Sequence, residues 1–253
     1  MQKHYGIHVA IAMLKNRVDD VETVLLSAKR QDRRLREIEQ IARSRRIKIK
    51  RMPNSDLTEI SQGNKHQGVI VLSHFRVGET RDKSLSEWLG TLPDSNLIVA
   101  LDGILDPRNL GACFRSANAA GAGGVILPRS RGCALTATVS RTAAGALETT
   151  PIYRASNLIR TLDELKSQEY SIVGLEEDST DSVYELDLSD QCVLVFGTEE
   201  TGMRLGTRKR CDQLACIPMR GKISSLNVSV AVGVVAFEAY RQRFAKSLKE
   251  SRE

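Results

Sequence analysis

From residue 97 to residue 243, short apolar runs alternate with stretches of helical periodicity. Leu97–Leu101, Val125–Leu127, Ile172–Leu175, Cys192–Phe196 and Leu214–Ile217 read as strands. Residues 109–120, 136–146, 156–168 and 226–243 read as helices between or after them. A strand, a helix and a further strand make the crossover that parallel pairing requires. The pattern therefore predicts an α/β fold with a mostly parallel sheet flanked by helices. Sheets of this kind hold ligands in a crevice outside the carboxyl ends of their strands.

The first 75 residues have a different character. A helix is expected over 8–15, a strand over Val21–Ser27 and a helix over 31–44, where Leu35, Ile38 and Ile41 share a stripe. Strands follow at Ile47–Lys50 and Gly68–Ser73. This segment carries 15 basic against 8 acidic residues, whereas the rest of the chain carries 22 against 23. The basic excess is concentrated in Lys29–Arg51, with 11 basic and 3 acidic residues. Such a module suits a polyanionic partner, most simply nucleic acid. A solvated helix face with internal ion pairs is the alternative, since Glu37 and Glu39 are interleaved with the arginines. The expected division is a substrate-binding domain over 1–75, a polar linker with a short helix over 76–94, and a catalytic domain over 95–253.

Several function classes are disfavoured. The longest nearly apolar run, Val228 to Phe237, is about half a membrane span. MQKHYGIHVA has no apolar signal core, and five cysteines without a CxxC pair suit reduced thiols in the cytoplasm. No GxGxxG follows a strand, and GTEETG is succeeded by Met203-Arg204 where a phosphate loop needs lysine. There is no HExxH, and all four histidines (4, 8, 66 and 74) lie in the first segment. A metal site or a histidine-driven triad in the second segment is not expected.

Three loop-like segments stand out: DGILDPRNLGACFR from Asp102, FGTEETGM from Phe196, and IPMRGKISSLN from Ile217, which leads into VSVAVGVVAF. On the residues alone, each reads equally as a helix cap or a tight turn. Together and in this order they resemble the three signature motifs of the SpoU family of RNA ribose 2′-O-methyltransferases, part of the SPOUT superfamily. YGIHVAIAML and HQGVIVLSHF resemble the accessory RNA-binding domain, similar to certain ribosomal proteins, of members that act on 23S rRNA.

The resemblance implies a catalytic domain whose C-terminal segment is threaded into a deep trefoil knot, and a homodimer formed through that domain. It implies S-adenosylmethionine as methyl donor, no metal, and a guanosine 2′-hydroxyl of 23S rRNA or of a large-subunit assembly intermediate as acceptor. By position, Gly197, Thr198, Ile217, Met219 and Leu226 correspond to the cofactor-binding residues. Asn109, Arg115, Glu199, Ser225 and Asn227 correspond to the catalytic group. Arg33, Arg34, Arg45 and Arg46 are the expected RNA contacts in the basic module. A tRNA ribose methyltransferase or a non-catalytic RNA-binding assembly factor are the competing readings.

Overall fold

The computed structural model describes residues 1–30, 32–74, 83–92, 97–198 and 200–250. In chain order the elements begin with β1 (Gln2–Tyr5), α1 (Ile7–Asn16), β2 (Val21–Ser27), α2 (Arg33–Ser44), β3 (Lys48–Met52), α3 (Asn54–Ser61) and β4 (Val69–Ser73). They continue with α4 (Leu85–Leu89), β5 (Leu97–Leu101), α5 (Pro107–Ala119), β6 (Gly124–Pro128), α6 (Ala137–Ala143) and α7 (Ala146–Thr149). The last are β7 (Ile152–Ala155), α8 (Leu158–Ser167), β8 (Ser171–Leu175), β9 (Cys192–Phe196), α9 (Leu205–Arg208), β10 (Gln213–Ala215) and α10 (Val228–Glu250). Two compact units result: residues 1–79 with 135–149, and residues 80–134 with 150–253.

In the first unit the described strands form a four-stranded sheet in the order β1-β4-β2-β3. β4 runs antiparallel to both β1 and β2, and β3 runs parallel to β2. Val9, Met13 and Leu14 of α1 pack with Leu35, Ile38 and Ala42 of α2 and with Val24, Leu26, Val69 and Val71 of the sheet. The 3.6-residue spacing of these side chains in α2 leaves its arginines on the water side. Asp32 starts α2 by accepting hydrogen bonds from the Arg34 and Leu35 amides. Those bonds, with the Leu35 amide foremost and Arg30 next, hold the Asp32 carboxyl below the usual carboxylate range.

The second unit is built on a six-stranded sheet in the order β10-β8-β9-β5-β6-β7. Every neighbouring pair in it is parallel. The central strands β5 and β9 are buried along their whole length, as unbroken apolar runs covered on both faces should be. From β5 the chain builds outward through β6 and β7, then returns to the other side of β9 with β8. The direction in which strands are added therefore reverses between β5 and β9.

Strands Val21–Ser27, Leu97–Leu101 and Cys192–Phe196 have the expected bounds. The helix expected over 136–146 is instead two, because Ala144 and Gly145 both take positive φ (52° and 99°) and stop α6 before α7 begins. β1, α3, β7 and α9 had no expected counterpart. The short helix of the expected linker is α4, capped by a reciprocal Ser84–Glu87 pair. It buries Trp88 against Gly124 and Tyr153: a Cβ on Gly124 would lie 2.4 Å from the Trp88 ring, and the two aromatic centroids are 5.4 Å apart. Trp88→Ala should destabilise this unit by about 3–5 kcal/mol, the usual cost of emptying a large aromatic site. Urea unfolding followed by circular dichroism measures it.

Candidate active site

The loop after β9 closes on itself. The Thr198 amide donates to the Gly202 carbonyl at 3.1 Å, and the Gly202 amide returns a bond to the Thr198 carbonyl at 3.0 Å. The Thr201 amide donates to the Thr198 hydroxyl at 3.1 Å. Gly197 lies under this turn so tightly that a Cβ there would sit 2.0 Å from the Gly202 carbonyl carbon. Only glycine fits that position without moving backbone.

Asp102, at the end of β5, fastens this loop to the sheet. Its amide donates to the Phe196 carbonyl at 2.7 Å. Its buried carboxylate accepts from the Arg204 amide at 3.1 Å, from Arg204 Nε at 2.7 Å and from the Arg204 terminal nitrogen. A carboxylate that far from water is tolerable only when its oxygens are satisfied in this way.

The third segment is joined to the first by a different bond. Asn227 Nδ2 donates to Asn109 Oδ1 at 3.1 Å across 118 positions of sequence. Asn227 Oδ1 meanwhile caps α10, accepting from the Ser229 amide at 3.0 Å and the Ser229 hydroxyl at 2.6 Å. Asn109 sits in the first turn of α5, where Asp106 accepts from its amide at 2.9 Å. Helices α5 and α10 then pack through small residues, with the Ser116 hydroxyl reaching the Ser229 carbonyl at 3.4 Å.

Between the 197–202 loop, the segment after β8 and residues 215–228 lies a cavity of about 290 Å³. Gly197, Thr198, Ile217, Met219 and Leu226, the five expected cofactor residues, all line it, and so does Ser225. Asn109 and Asn227 meet each other but are not in the lining. Arg115 is exposed on α5, also outside the lining, and makes no hydrogen bond or ion pair with the described residues. Glu199 lies outside the described residues. The pattern reading passed over Glu176, Glu177, Asp178 and Glu200, which also line the cavity. Their signal was positional: the first three directly follow β8, at the carboxyl edge of the sheet. The Asp102–Arg204 pair is likewise absent from the pattern, in which Arg204 only follows a loop that lacks a phosphate-binding lysine.

Burial pushes the Cys211 thiol up to about 11 and also raises Cys133 and Cys192, which favours the thiol over the nucleophilic thiolate at all three. Among the described residues, no group of three His, Cys, Asp or Glu could hold a metal ion, and no helix is long and apolar enough to cross a membrane.

In the basic module some charge is internally neutralised. Glu39 pairs with Arg43 and Arg51, and Asp32 pairs with Arg30. Arg33, Arg34, Arg45 and Arg46 are exposed, and their side chains have no ion pair among the described residues. They flank the two ends of α2.

Residues 96–237 match the SpoU rRNA Methylase family, and residues 5–74 match the RNA 2′-O ribose methyltransferase substrate binding family. The chain belongs to the SpoU methylase family. The SpoU relatives named 23S rRNA (guanosine-2′-O-)-methyltransferase RlmB from Xylella fastidiosa and Pseudomonas aeruginosa are both 41% identical to it. The matches cover 94% and 96% of this chain, and 95% and 97% of the relatives. The SpoU methyltransferase AviRb from Streptomyces viridochromogenes, solved in complex with AdoMet, has the same fold, with a TM-score of 0.76 at 23% identity over 96% of this chain and 90% of that one.

The cavity residues fit S-adenosylmethionine. The walls contributed by Leu175, Phe196, Ile217, Leu226 and Val228 are apolar, and the Thr198–Gly202 turn places backbone where a side chain would intrude. Gly197→Ala should therefore reduce cofactor affinity at least tenfold by displacing the 198–202 turn, as isothermal titration would show. An unchanged affinity would mean the turn does not shape the cofactor cavity.

Proposed function

We propose that this chain methylates the 2′-hydroxyl of a guanosine ribose in 23S rRNA, using S-adenosylmethionine, during ribosome maturation in the cytoplasm. The observation that carries this reading is the convergence of all five expected cofactor residues on one cavity at the carboxyl ends of β8, β9 and β10. The near full-length match to relatives of that named activity supports the rRNA substrate over tRNA. Residues 1–75 are the RNA-binding domain, 76–94 the linker and 95–253 the catalytic domain in this reading.

The C-terminal segment is proposed to be knotted. Support comes from its path: residues 217–226 line the same cavity as the 197–202 loop, and α10 then packs on α5. A homodimer through the catalytic domain is supported by α10. Phe237, Tyr240, Phe244 and Leu248 form a stripe at helical spacing, each 44–51% exposed, with Tyr240 and Phe244 stacked 5.9 Å apart. Arg115, lying outside the cavity lining, then suits a site that draws on both chains.

When bound, S-adenosylmethionine supplies a methyl group that its sulfonium makes electrophilic. The residues of the chain must align and polarise the ribose hydroxyl, which is a weak acid. A guanidinium keeps its proton throughout the working pH range, so Arg115 is assigned to gripping the RNA phosphate and stabilising the developing charge on the 2′-oxygen. The hydroxyl proton leaves to phosphate or water. Asn227 and Asn109 hold α10 and α5 in register beside the cavity, and Ser225 shapes its mouth. Glu199 is assigned to orienting Asn109 or Arg115.

Transfer of labelled methyl to unmodified 23S rRNA and, in parallel, to bulk tRNA tests the whole reading. Label at one 2′-O-methylguanosine of 23S rRNA is expected. Label in tRNA alone would move the substrate, and cofactor binding without transfer to either RNA or to an assembly intermediate would indicate a non-catalytic assembly factor. Arg115→Lys should lower kcat by ~100-fold, the scale for losing one donor to a developing oxyanion, while leaving cofactor affinity unchanged. Reversing Arg33, Arg34, Arg45 and Arg46 to glutamate should raise the KM for RNA and leave the cofactor KM unchanged, as steady-state kinetics would show.

A further inference from the structure

The first unit holds a second cleft, of about 580 Å³, twice the volume of the cofactor cavity. It lies along β1, whereas α2 and its arginines lead into β3, and these two strands are the opposite edges of the sheet. Its walls come from β1, from the segment after α3 and from α6. Three cations face it, Lys3, Lys65 and Arg141, and no aspartate or glutamate lines it. Lys3 donates only to the Ile60 carbonyl (3.2 Å) and Arg141 to the Thr138 hydroxyl (3.2 Å), so neither charge is cancelled by a carboxylate among the described residues. Lys65 has no ion pair among them either.

The floor of the cleft is fixed from beneath. Ser140 and His4 both line it, and both meet the fully buried Glu148. The Ser140 hydroxyl donates to Glu148 Oε1 at 3.2 Å, and His4 Nδ1 lies 3.8 Å from the same oxygen. His4 Nε2 is in turn bonded to the Ser73 hydroxyl at 2.9 Å. The remaining polar wall groups are the amides of Gln2, Gln62 and Asn64 and the hydroxyls of Tyr5 and Thr136, which suit base edges and ribose hydroxyls, beside the apolar Met1, Leu135 and Ala137.

We propose that this cleft takes a single-stranded segment of the RNA substrate, with its phosphates against Lys3, Lys65 and Arg141. The inference rests on the RNA-methyltransferase reading and extends it. The cleft is too large for a lone phosphate, and its polar, unpaired basic lining suits a nucleotide chain better than an apolar ligand. Three inter-strand spacings separate the two edges of the sheet, ~14 Å at about 4.8 Å each. The RNA is thus held at both edges of this domain, not at the α2 edge alone.

The test uses the full chain and a labelled single-stranded RNA 20-mer of mixed sequence, titrated by fluorescence anisotropy at several salt concentrations. Each phosphate contact with a single strand contributes ~0.7 to the slope of log K against log salt. The triple variant Lys3→Gln, Lys65→Gln, Arg141→Gln should flatten that slope by ~2, three contacts at ~0.7 each, with cofactor affinity unchanged. Ala137→Trp, which fills the cleft without altering charge, should weaken RNA binding at least fivefold. If the wild type binds RNA while the triple variant keeps its slope and Ala137→Trp keeps its affinity, the cleft proposal is overturned and the function stands. If the wild type binds no RNA and methylates none, the functional reading itself fails, and the cleft proposal with it.

Discussion

The second unit is organised by one buried charge. Asp102 ends the central strand β5 where water cannot reach its carboxylate, and its oxygens are satisfied by Arg204, 102 positions later. The cost of burying that charge is offset only while Arg204 stays in place. Arg204 in turn leads α9 and follows the 198–202 turn, so the turn cannot drift away from β5. Gly197 then fits beneath it because a side chain would not. The shape of the cavity is thus a consequence of a single ion pair between two loops, to which the Asn227–Asn109 bond adds the third loop.

This arrangement explains how binding can be built with few chemically conspicuous residues. The cavity walls are backbone, apolar side chains and carboxylates, and the sheet contributes position more than functional groups. A fingerprint search for glycine-rich or histidine-rich motifs fails here for that reason. Glu176, Glu177, Asp178 and Glu200 line the cavity, while Arg33, Arg34, Arg45 and Arg46, which have no ion pair among the described residues, lie in the other unit.

Much of the fold was legible because its strongest elements obey simple periodicities. Val21–Ser27, Leu97–Leu101 and Cys192–Phe196 are continuous apolar runs of strand length, and they were found with their bounds. β1 was not, because QKHY is an edge strand with mostly exposed or polar side chains. α3 buries little more than Leu57 and Ser61, and β7 is four residues long, so neither produces a period above background. The break between α6 and α7 depends on two positive φ values, one of them at an alanine, which no propensity anticipates. At the site, glycines and loop positions marked the cavity residues. The Asn227–Asn109 and Asp102–Arg204 bonds were invisible because they join residues more than 100 positions apart, and only the topology of the sheet brings them together.

Trp88 gives the two units different optical signatures. It is the only tryptophan in the chain, and it is buried in the second unit between Gly124 and Tyr153. Red-edge emission therefore reports the melting of the second unit alone, while the first unit unfolds unseen by that fluorophore. Far-ultraviolet dichroism follows both. Any gap between the two transition curves is then a direct reading of how tightly the stabilities of the units are coupled.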